Sequence, residues 1–367
     1  MSKDEFHLDA IKKLLVKQGL AGSYKDTYFA RRLRIRMRKR DCENYAAYYN
    51  LLKQDSREVE LFRSDLSINV TRFFRDLPSF RYFQNIAQNF LQSSFLQTRQ
   101  SKFKVWSAGC AIGAEPYTLA IIFDQIRKQL SGRLTASILA TDFNQVLLDI
   151  AQKGIYAQES MDEFPPSLLD EYFDPFPDDQ FRLKYRVRHM VTFEHFDLTT
   201  PEYPYRDLDV IVCRNVLIYF STEWQKKIFH QFHKCLAPNG LLFLGNTETL
   251  SPSFRSKFKN ISPKHRIYQK EGGEAMDLTP TDSMRVCETC GQSFGRIIDL
   301  KIHQRTHLKE KKVPRDSQTR LKCPHCHKTF ITKVRYEAHL RFFHKVENPT
   351  YDKPKLGRRK KKGTEED

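Results

Sequence analysis

From Phe103 to Glu248 the chain repeats one grammar: a short apolar run, then a stretch with hydrophobic residues three or four positions apart. The apolar runs are FKVWSAG (103–109), TASILATDF (135–143), MVTFEHFDL (190–198), DLDVIVCRNVLIYF (207–220) and LLFLGNTE (241–248). Helical periodicity fills EPYTLAIIFDQIRKQL (115–130), NQVLLDIAQKGIY (144–156) and TEWQKKIFHQFHKCL (222–236), the last closing at Asn239-Gly240. Strands alternating with helices predict a parallel sheet covered on both faces, so the expected fold class is α/β, doubly wound. Residues 1–98 show helical periodicity in several short segments, with Leu14, Leu15, Leu33, Ile35, Met37, Tyr45, Tyr48, Leu51 and Leu52 turned inward. That predicts a small helical domain ahead of a sheet domain at 99–270. Residues 160–190, rich in proline, aspartate and aromatics, read as a subdomain inserted outside the main sheet.

Beyond Lys270 the pattern dissolves. Residues 271–284 read as a linker, followed by Cys/His units at 285–308 and 321–345, a basic spacer at 309–320 and a basic tail at 346–367. With 367 residues the chain has room for two or three domains, and its 28 Phe and 16 Tyr supply ample core. The apolar runs are far shorter than the roughly 20 residues of a membrane-spanning helix, and the start MSKDEFH has no signal-peptide core, so no membrane insertion and a cytoplasmic address are expected. A formal charge of +18 favours acidic partners. In such a setting the eight cysteines read as metal ligands or free thiols more readily than as disulfides.

The candidate chemistry begins at Trp106-Ser-Ala-Gly109-Cys-Ala-Ile-Gly113-Ala-Glu115, between a predicted strand and a predicted helix. There the backbone must turn tightly and let a ligand approach without a Cβ in the way. The next strand ends at Asp142, whose carboxylate is placed to accept hydrogen bonds from ribose hydroxyls. Gly109 with Asp142 therefore defines an adenosine-type cradle. The G-x-x-x-G spacing and the late acid fit S-adenosylmethionine better than a nicotinamide dinucleotide, which usually shows G-x-G-x-x-G.

Four motifs then combine: Asn69-Val-Thr71-Arg-Phe73-Phe74-Arg75, SAGCAIGAEPYTLA, the pair ATDFN with KGIY, and Cys213-Arg214-Asn215-Val216-Leu217-Ile218-Tyr219-Phe220. In this order they make residues 1 to about 270 resemble the CheR family of chemotaxis receptor methyltransferases, which methylate glutamate carboxylates using S-adenosylmethionine. The resemblance implies cofactor contacts at Asn69, Thr71, Arg75, Gly109, Glu115, Asp142, Asp197, Leu198, Asn215 and Val216. It places Arg75 and Tyr219 beside the reacting groups. Two departures are visible: Ala114 stands where the family often has Glu, and DPFPDDQ (174–180) lacks the glycine-rich insertion of receptor-tethering members. Tethering to a receptor peptide is therefore not implied.

The run RRLRIRMRKR (31–40) puts positive charge on most positions of about three helical turns, a cationic face suited to the acidic, helical methylation region of a chemoreceptor or, on charge alone, to nucleic acid. At the C-terminus, Cys287, Cys290, His303 and His307, then Cys323, Cys326, His339 and His344, match the spacing of ββα zinc fingers, each expected to hold one Zn²⁺. Phe294 with Leu300 and Phe330 with Tyr336 stand at the usual small-core positions. Base-reading positions would be Arg296, Asp299 and Ile302, then Thr332, Arg335 and Ala338, of which only the arginines are typical readers. The fifteen residues between His307 and Cys323 separate the units too widely for tandem groove tracking. Nucleic acid and protein both remain open as their partner. Taken whole, the sequence predicts a protein-glutamate O-methyltransferase. The alternatives are a zinc-finger nucleic-acid-binding regulator whose methyltransferase domain is cofactor-sensing or inactive, and a methyltransferase acting on nucleic acid.

Overall fold

A computed structural model describes residues 3–17, 22–66, 71–98, 101–130, 135–272 and 278, together with 285–286, 293–294, 321–325, 329–330 and 339–340. The helical domain comprises α1 (Lys3–Lys17), α2 (Asp26–Lys39), α3 (Tyr45–Gln54) and α4 (Ser56–Asp65). Short polar side chains start two of these: the Asn44 carbonyl accepts from the Ala47 N–H, and the Asp55 carboxylate from those of Arg57 and Glu58. Ile11, Leu15, Phe29, Leu33, Tyr48, Leu52, Val59 and Phe62 form their common core. The basic run lies on α2, but it is not one uninterrupted face. Arg36 is buried and gripped by Glu58, while Arg31, Arg34, Arg38, Lys39 and Arg40 are exposed.

Helix α5 (Leu77–Thr98) leads into the sheet domain: Phe83 stacks on Phe243 with ring centres 4.9 Å apart, and Phe90 meets Phe103 edge-on. The remaining elements are β1 (Lys102–Ala108), α6 (Ala114–Gln129), β2 (Thr135–Asp142), α7 (Gln145–Lys153), β3 (Ile155–Tyr156), α8 (Leu169–Tyr172), β4 (Phe173–Phe176), β5 (Gln180–Leu183), α9 (Tyr185–Arg188), β6 (Val191–His195), β7 (Leu208–Cys213), α10 (Thr222–Cys235), β8 (Leu236–Leu244), β9 (Phe258–Ser262) and β10 (Ile267–Lys270). Seven strands make one sheet in the order β6-β2-β1-β7-β8-β10-β9. The first five are parallel, and β10 runs antiparallel to both its neighbours. The doubly wound α/β expectation holds, completed by a reversed strand at one edge. All six residues of β7 are buried, which is why its sequence is apolar throughout rather than alternating, except at Asp209, which accepts from the Lys104 N–H at 2.8 Å.

The chain moves outward from β1 in one direction to β2 and β6 and in the other to β7 and β8, so the carboxyl ends of β1 and β7 flank a switch point where such sheets bind ligands. Inside the predicted insertion β4 and β5 pair, and with β3, which precedes it, they form a separate three-stranded antiparallel sheet in the order β3-β5-β4. Leu278, in the linker segment, is fully buried. Further on are two small hairpins, β11 (Arg285–Val286) with β12 (Ser293–Phe294) and β13 (Leu321–Lys322) with β14 (Thr329–Phe330). Among the described residues, no helix is long and apolar enough to cross a membrane.

Candidate functional site

The pocket at the switch point is built from backbone strain and buried carboxylates. Gly109 follows β1 at φ 82°, where its N–H donates to the Thr141 carbonyl at 2.8 Å, and a Cβ there would lie 2.6 Å from Val216 Cγ2. Gly113 starts α6 at φ 86°, with room for a Cβ closed off by Ala151 at 2.8 Å. Only glycine meets both demands. Phe74, Asp76, Ala111 and Asn215 also hold positive φ, although each carries a side chain. Left-handed conformations at such residues persist only where surrounding contacts fix them, and they gather at functional sites.

Those contacts are explicit. The Phe74 N–H donates to Thr118 Oγ1 at 3.0 Å, while the Asp76 and Leu77 N–H groups donate to Glu163 Oε2. Across the pocket Glu248 accepts from the N–H groups of Asn215, Val216, Leu217 and Gly245 at 2.7–2.9 Å. One buried carboxylate thus pins the whole 215–217 turn, and this burial raises its pKa against the pull of the four amides. Asp142, at the end of β2, accepts from Ala111 N–H and Asn144 N–H through different oxygens, and burial raises its pKa too. Two partners leave acceptor capacity on each oxygen.

Glu115 sits in the first turn of α6, accepting from Ser107 Oγ at 2.8 Å. Its face toward the pocket is open, yet its distance from bulk water pushes its pKa up to about 7 despite the nearby Arg214 charge. Arg214 donates to Asp76 Oδ2 at 2.8 Å and to the Leu244 carbonyl at 2.9 Å, with its guanidinium 4.2 Å from the Phe243 ring centre and 5.0 Å from that of Phe80. Burial lowers its pKa from the usual arginine value.

The pocket is lined by Thr71, Arg75, Gly109, Glu115, Asp142, Asp197, Leu198, Asn215, Val216 and Tyr219, and so brings together every residue expected at the cofactor and the reacting groups except Asn69, which lies outside the described residues. Tyr24, Cys110, Phe143, Phe196 and Arg214 line it as well, and sequence reasoning did not single them out. Arg214 stood inside a quoted motif, and its place directly after a fully buried strand was the signal that could have found it. Of the eight expected zinc ligands, Cys323 and His339 are buried, while Cys287, Cys290, His303, His307, Cys326 and His344 lie outside the described residues.

The donor set suits S-adenosylmethionine: a carboxylate for ribose hydroxyls, a second for an ammonium, and a cradle at Gly109 that a Cβ would fill. Comparison with known proteins agrees with this chemistry. Residues 69–267 match the CheR methyltransferase SAM-binding domain, residues 21–67 the CheR methyltransferase all-alpha domain, and residues 286–307 and 321–344 the C2H2 zinc finger. The chain is 30% identical over 247 residues to a chemotaxis protein methyltransferase of Borreliella burgdorferi, covering 66% of this chain and 83% of that one. It is also 30% identical to the chemotaxis protein methyltransferase of Escherichia coli, over 68% of this chain and 87% of that one, and to that of Listeria monocytogenes, over 68% and 91%.

Proposed function

The chain belongs to the CheR methyltransferase family, and on that premise we propose that it transfers a methyl group from S-adenosylmethionine to glutamate carboxylates of a chemoreceptor-like protein. The observation that carries this reading is the convergence of Arg75 and Tyr219, from motifs far apart in the chain, on the pocket that holds Glu115 and Asp142. In this reading Asp142 accepts from the ribose and Glu115 from the ammonium of the methionyl end. Thr71, Gly109, Asn215 and Val216 enclose the middle of the cofactor, and Asp197 and Leu198 lie by its base. Asn69 joins them by motif.

The bound cofactor supplies an electrophilic methyl on a sulfonium. A free glutamate titrates near 4.3, so the acceptor is already ionised at neutral pH and no general base is required. The protein's task is to orient and desolvate that carboxylate. Arg75 pairs with it, or with the cofactor's own carboxylate, through a planar guanidinium. Burial raises the Tyr219 pKa, so its phenol stays protonated and donates a hydrogen bond. The exposed cations of α2, Arg31, Arg34, Arg38 and Lys39, with Arg40 at its C-terminal cap, offer a docking face for an acidic helical partner.

The decisive experiment is transfer of a labelled methyl from S-adenosylmethionine to a receptor fragment, followed by mild alkali. Release of the label as methanol is expected from a carboxyl ester; label that survives alkali would overturn the carboxylate assignment. The C-terminal units are read as two structural zinc sites, with the burial of Cys323 and His339 in support. The purified protein is expected to carry two Zn²⁺ per chain, and Cys290→Ser to lose one of them. Their partner is read as nucleic acid bound together with the tail GRRKKKG, so retention should fall steeply with salt as counterions are released. Absence of salt-dependent retention would leave a protein partner instead.

A further inference from the structure

The helical domain reaches the reacting end of the pocket along a seam of paired backbone and stacked rings. Residues 23–25, just before α2, pair with residues 219–221: the Lys25 N–H donates to the Tyr219 carbonyl at 2.9 Å, and the Ser221 N–H to the Ser23 carbonyl at 2.8 Å. Between them Tyr24 and Phe220 form an antiparallel bridge, and their rings stack 5.2 Å apart at 18°. Tyr24 also lines the pocket.

One turn into α2, Tyr28 completes the seam. Its ring centre lies 4.7 Å from that of Tyr219, and its hydroxyl donates to the Leu66 carbonyl at the end of α4. The guanidiniums of Arg31 and Arg32 each lie 5.7 Å from its ring centre, and Arg32 Nε donates to the Tyr28 hydroxyl at 3.3 Å. Tyr28 therefore touches the basic stretch of α2 and Tyr219 at once. Tyr219 is in turn among the residues packed against the helical core, together with Phe143 from the pocket wall. Paired backbone fixes where the 219–221 turn sits. A ring packed against Tyr219 limits how its phenol can swing, and offset aromatic pairs of this kind hold a preferred geometry.

We propose that Tyr28 is a positioning residue for Tyr219, so that the cationic face of α2 and the reacting end of the pocket form one continuous unit. Tyr28 does not itself line the pocket but touches three residues that do, Tyr24, Leu66 and Tyr219, and of these Tyr219 is the one read as standing beside the reacting groups. The proposal rests on the reading of Tyr219 as a residue beside the reacting groups.

The test uses the full chain labelled with 3-fluorotyrosine, with the Tyr219 fluorine resonance identified as the one lost in Tyr219→Phe. Tyr28→Ala is expected to move that resonance, to lower kcat on the order of 10-fold, and to leave S-adenosylmethionine affinity by calorimetry within about two-fold. Tyr28→Phe keeps the ring and should restore both resonance and kcat. Added to Tyr219→Ala, Tyr28→Ala should cost nothing further, since its effect runs through the side chain already removed. Should Tyr28→Ala fail to fold, Tyr28→Leu, which keeps bulk without the aromatic plane, takes its place. Normal turnover with an unmoved resonance overturns the proposal, as does a loss that multiplies that of Tyr219→Ala. A moved resonance with normal turnover upholds the positioning and overturns the assignment of Tyr219 to the reacting groups.

Discussion

Each domain buries a carboxylate beside an arginine, and the two pairs are finished in opposite ways. In the helical domain Glu58 is saturated: Arg36 grips both its oxygens at 2.6 and 2.8 Å, and the Tyr48 hydroxyl adds a bond at 2.8 Å. The contact with Glu58 raises the Arg36 pKa, so the ion pair is secure. In the sheet domain Glu115 has the Ser107 hydroxyl as its hydrogen-bond donor, and Arg214 donates to Asp76 and a backbone carbonyl, not to Glu115. The same two residue types therefore give a joint between α2 and α4 in one place and an unfinished charge facing a pocket in the other. Where the protein saturates a buried charge it is building, and where it leaves one short of partners it has prepared a place for a ligand.

Removing a partner from each cluster tests this contrast, and the largest effect belongs to the saturated one. Glu58→Ala takes the bidentate partner from the buried Arg36, leaving only a 3.4 Å contact with Asp65, and should cost about 3 kcal/mol in urea unfolding, with cofactor affinity of the folded fraction unchanged. An affinity loss matching the stability loss would mean that the two clusters are not separate. Asp142→Ala should do the reverse. It should weaken S-adenosylmethionine binding by about 1.5 to 3 kcal/mol in calorimetry, beside a smaller drop in the cofactor-free melting temperature from the bonds lost to the Ala111 and Asn144 N–H groups. Unchanged affinity in the folded variant would remove Asp142 from the cofactor cradle.

Glu115 gives a smaller effect, sharpened by pH. Its pKa in the folded chain is about 7, above the unfolded carboxylate value, so the folded state binds the extra proton between about 4.5 and 7. Over that window the cofactor-free protein should lose stability as pH rises, by about 2 to 3 kcal/mol at most, and Glu115→Gln should abolish this slope. S-adenosylmethionine binding, which needs the ionised form opposite an ammonium, should strengthen across the same window. A flat affinity profile between pH 6 and 8 would show that Glu115 does not meet the ammonium.

How much of this was legible in the sequence depended on how far the cause lay from the residue. The strands announced themselves because β7 is buried on both faces, which makes its sequence apolar at every position but Asp209. Asp142 was legible because it ends a strand and precedes Asn144, which caps α7. Arg214 and Glu248 were not, since the partner Asp76 lies 138 residues from Arg214, and three of the four amides held by Glu248 precede it by 31 to 33 residues. The basic run of α2 misled for the same reason. Six arginines and a lysine look alike in a row, and only Glu58, 22 residues away, decides that Arg36 turns inward. Helix α5 was visible by period, but which core it joins is settled by Phe83 on Phe243. In the 160–190 insertion, proline and charge obscured the alternation of β4 and β5, so a subdomain could be foreseen without its strands.

The near-contact between Gly109 and Val216 has a consequence for how this pocket can change over time. The two residues follow different strands, yet a Cβ at position 109 would come within 2.6 Å of one Val216 methyl and 3.2 Å of the other. Their histories are therefore bound by epistasis: an alanine at 109 can be accepted only in a lineage that has already trimmed 216. Even then the compensation is partial, because φ 82° remains costly for any residue with a Cβ after the collision is gone. A mutational path that widens or reshapes this cradle must first pass through Val216, and the order of the steps is set before any selection for a new ligand begins.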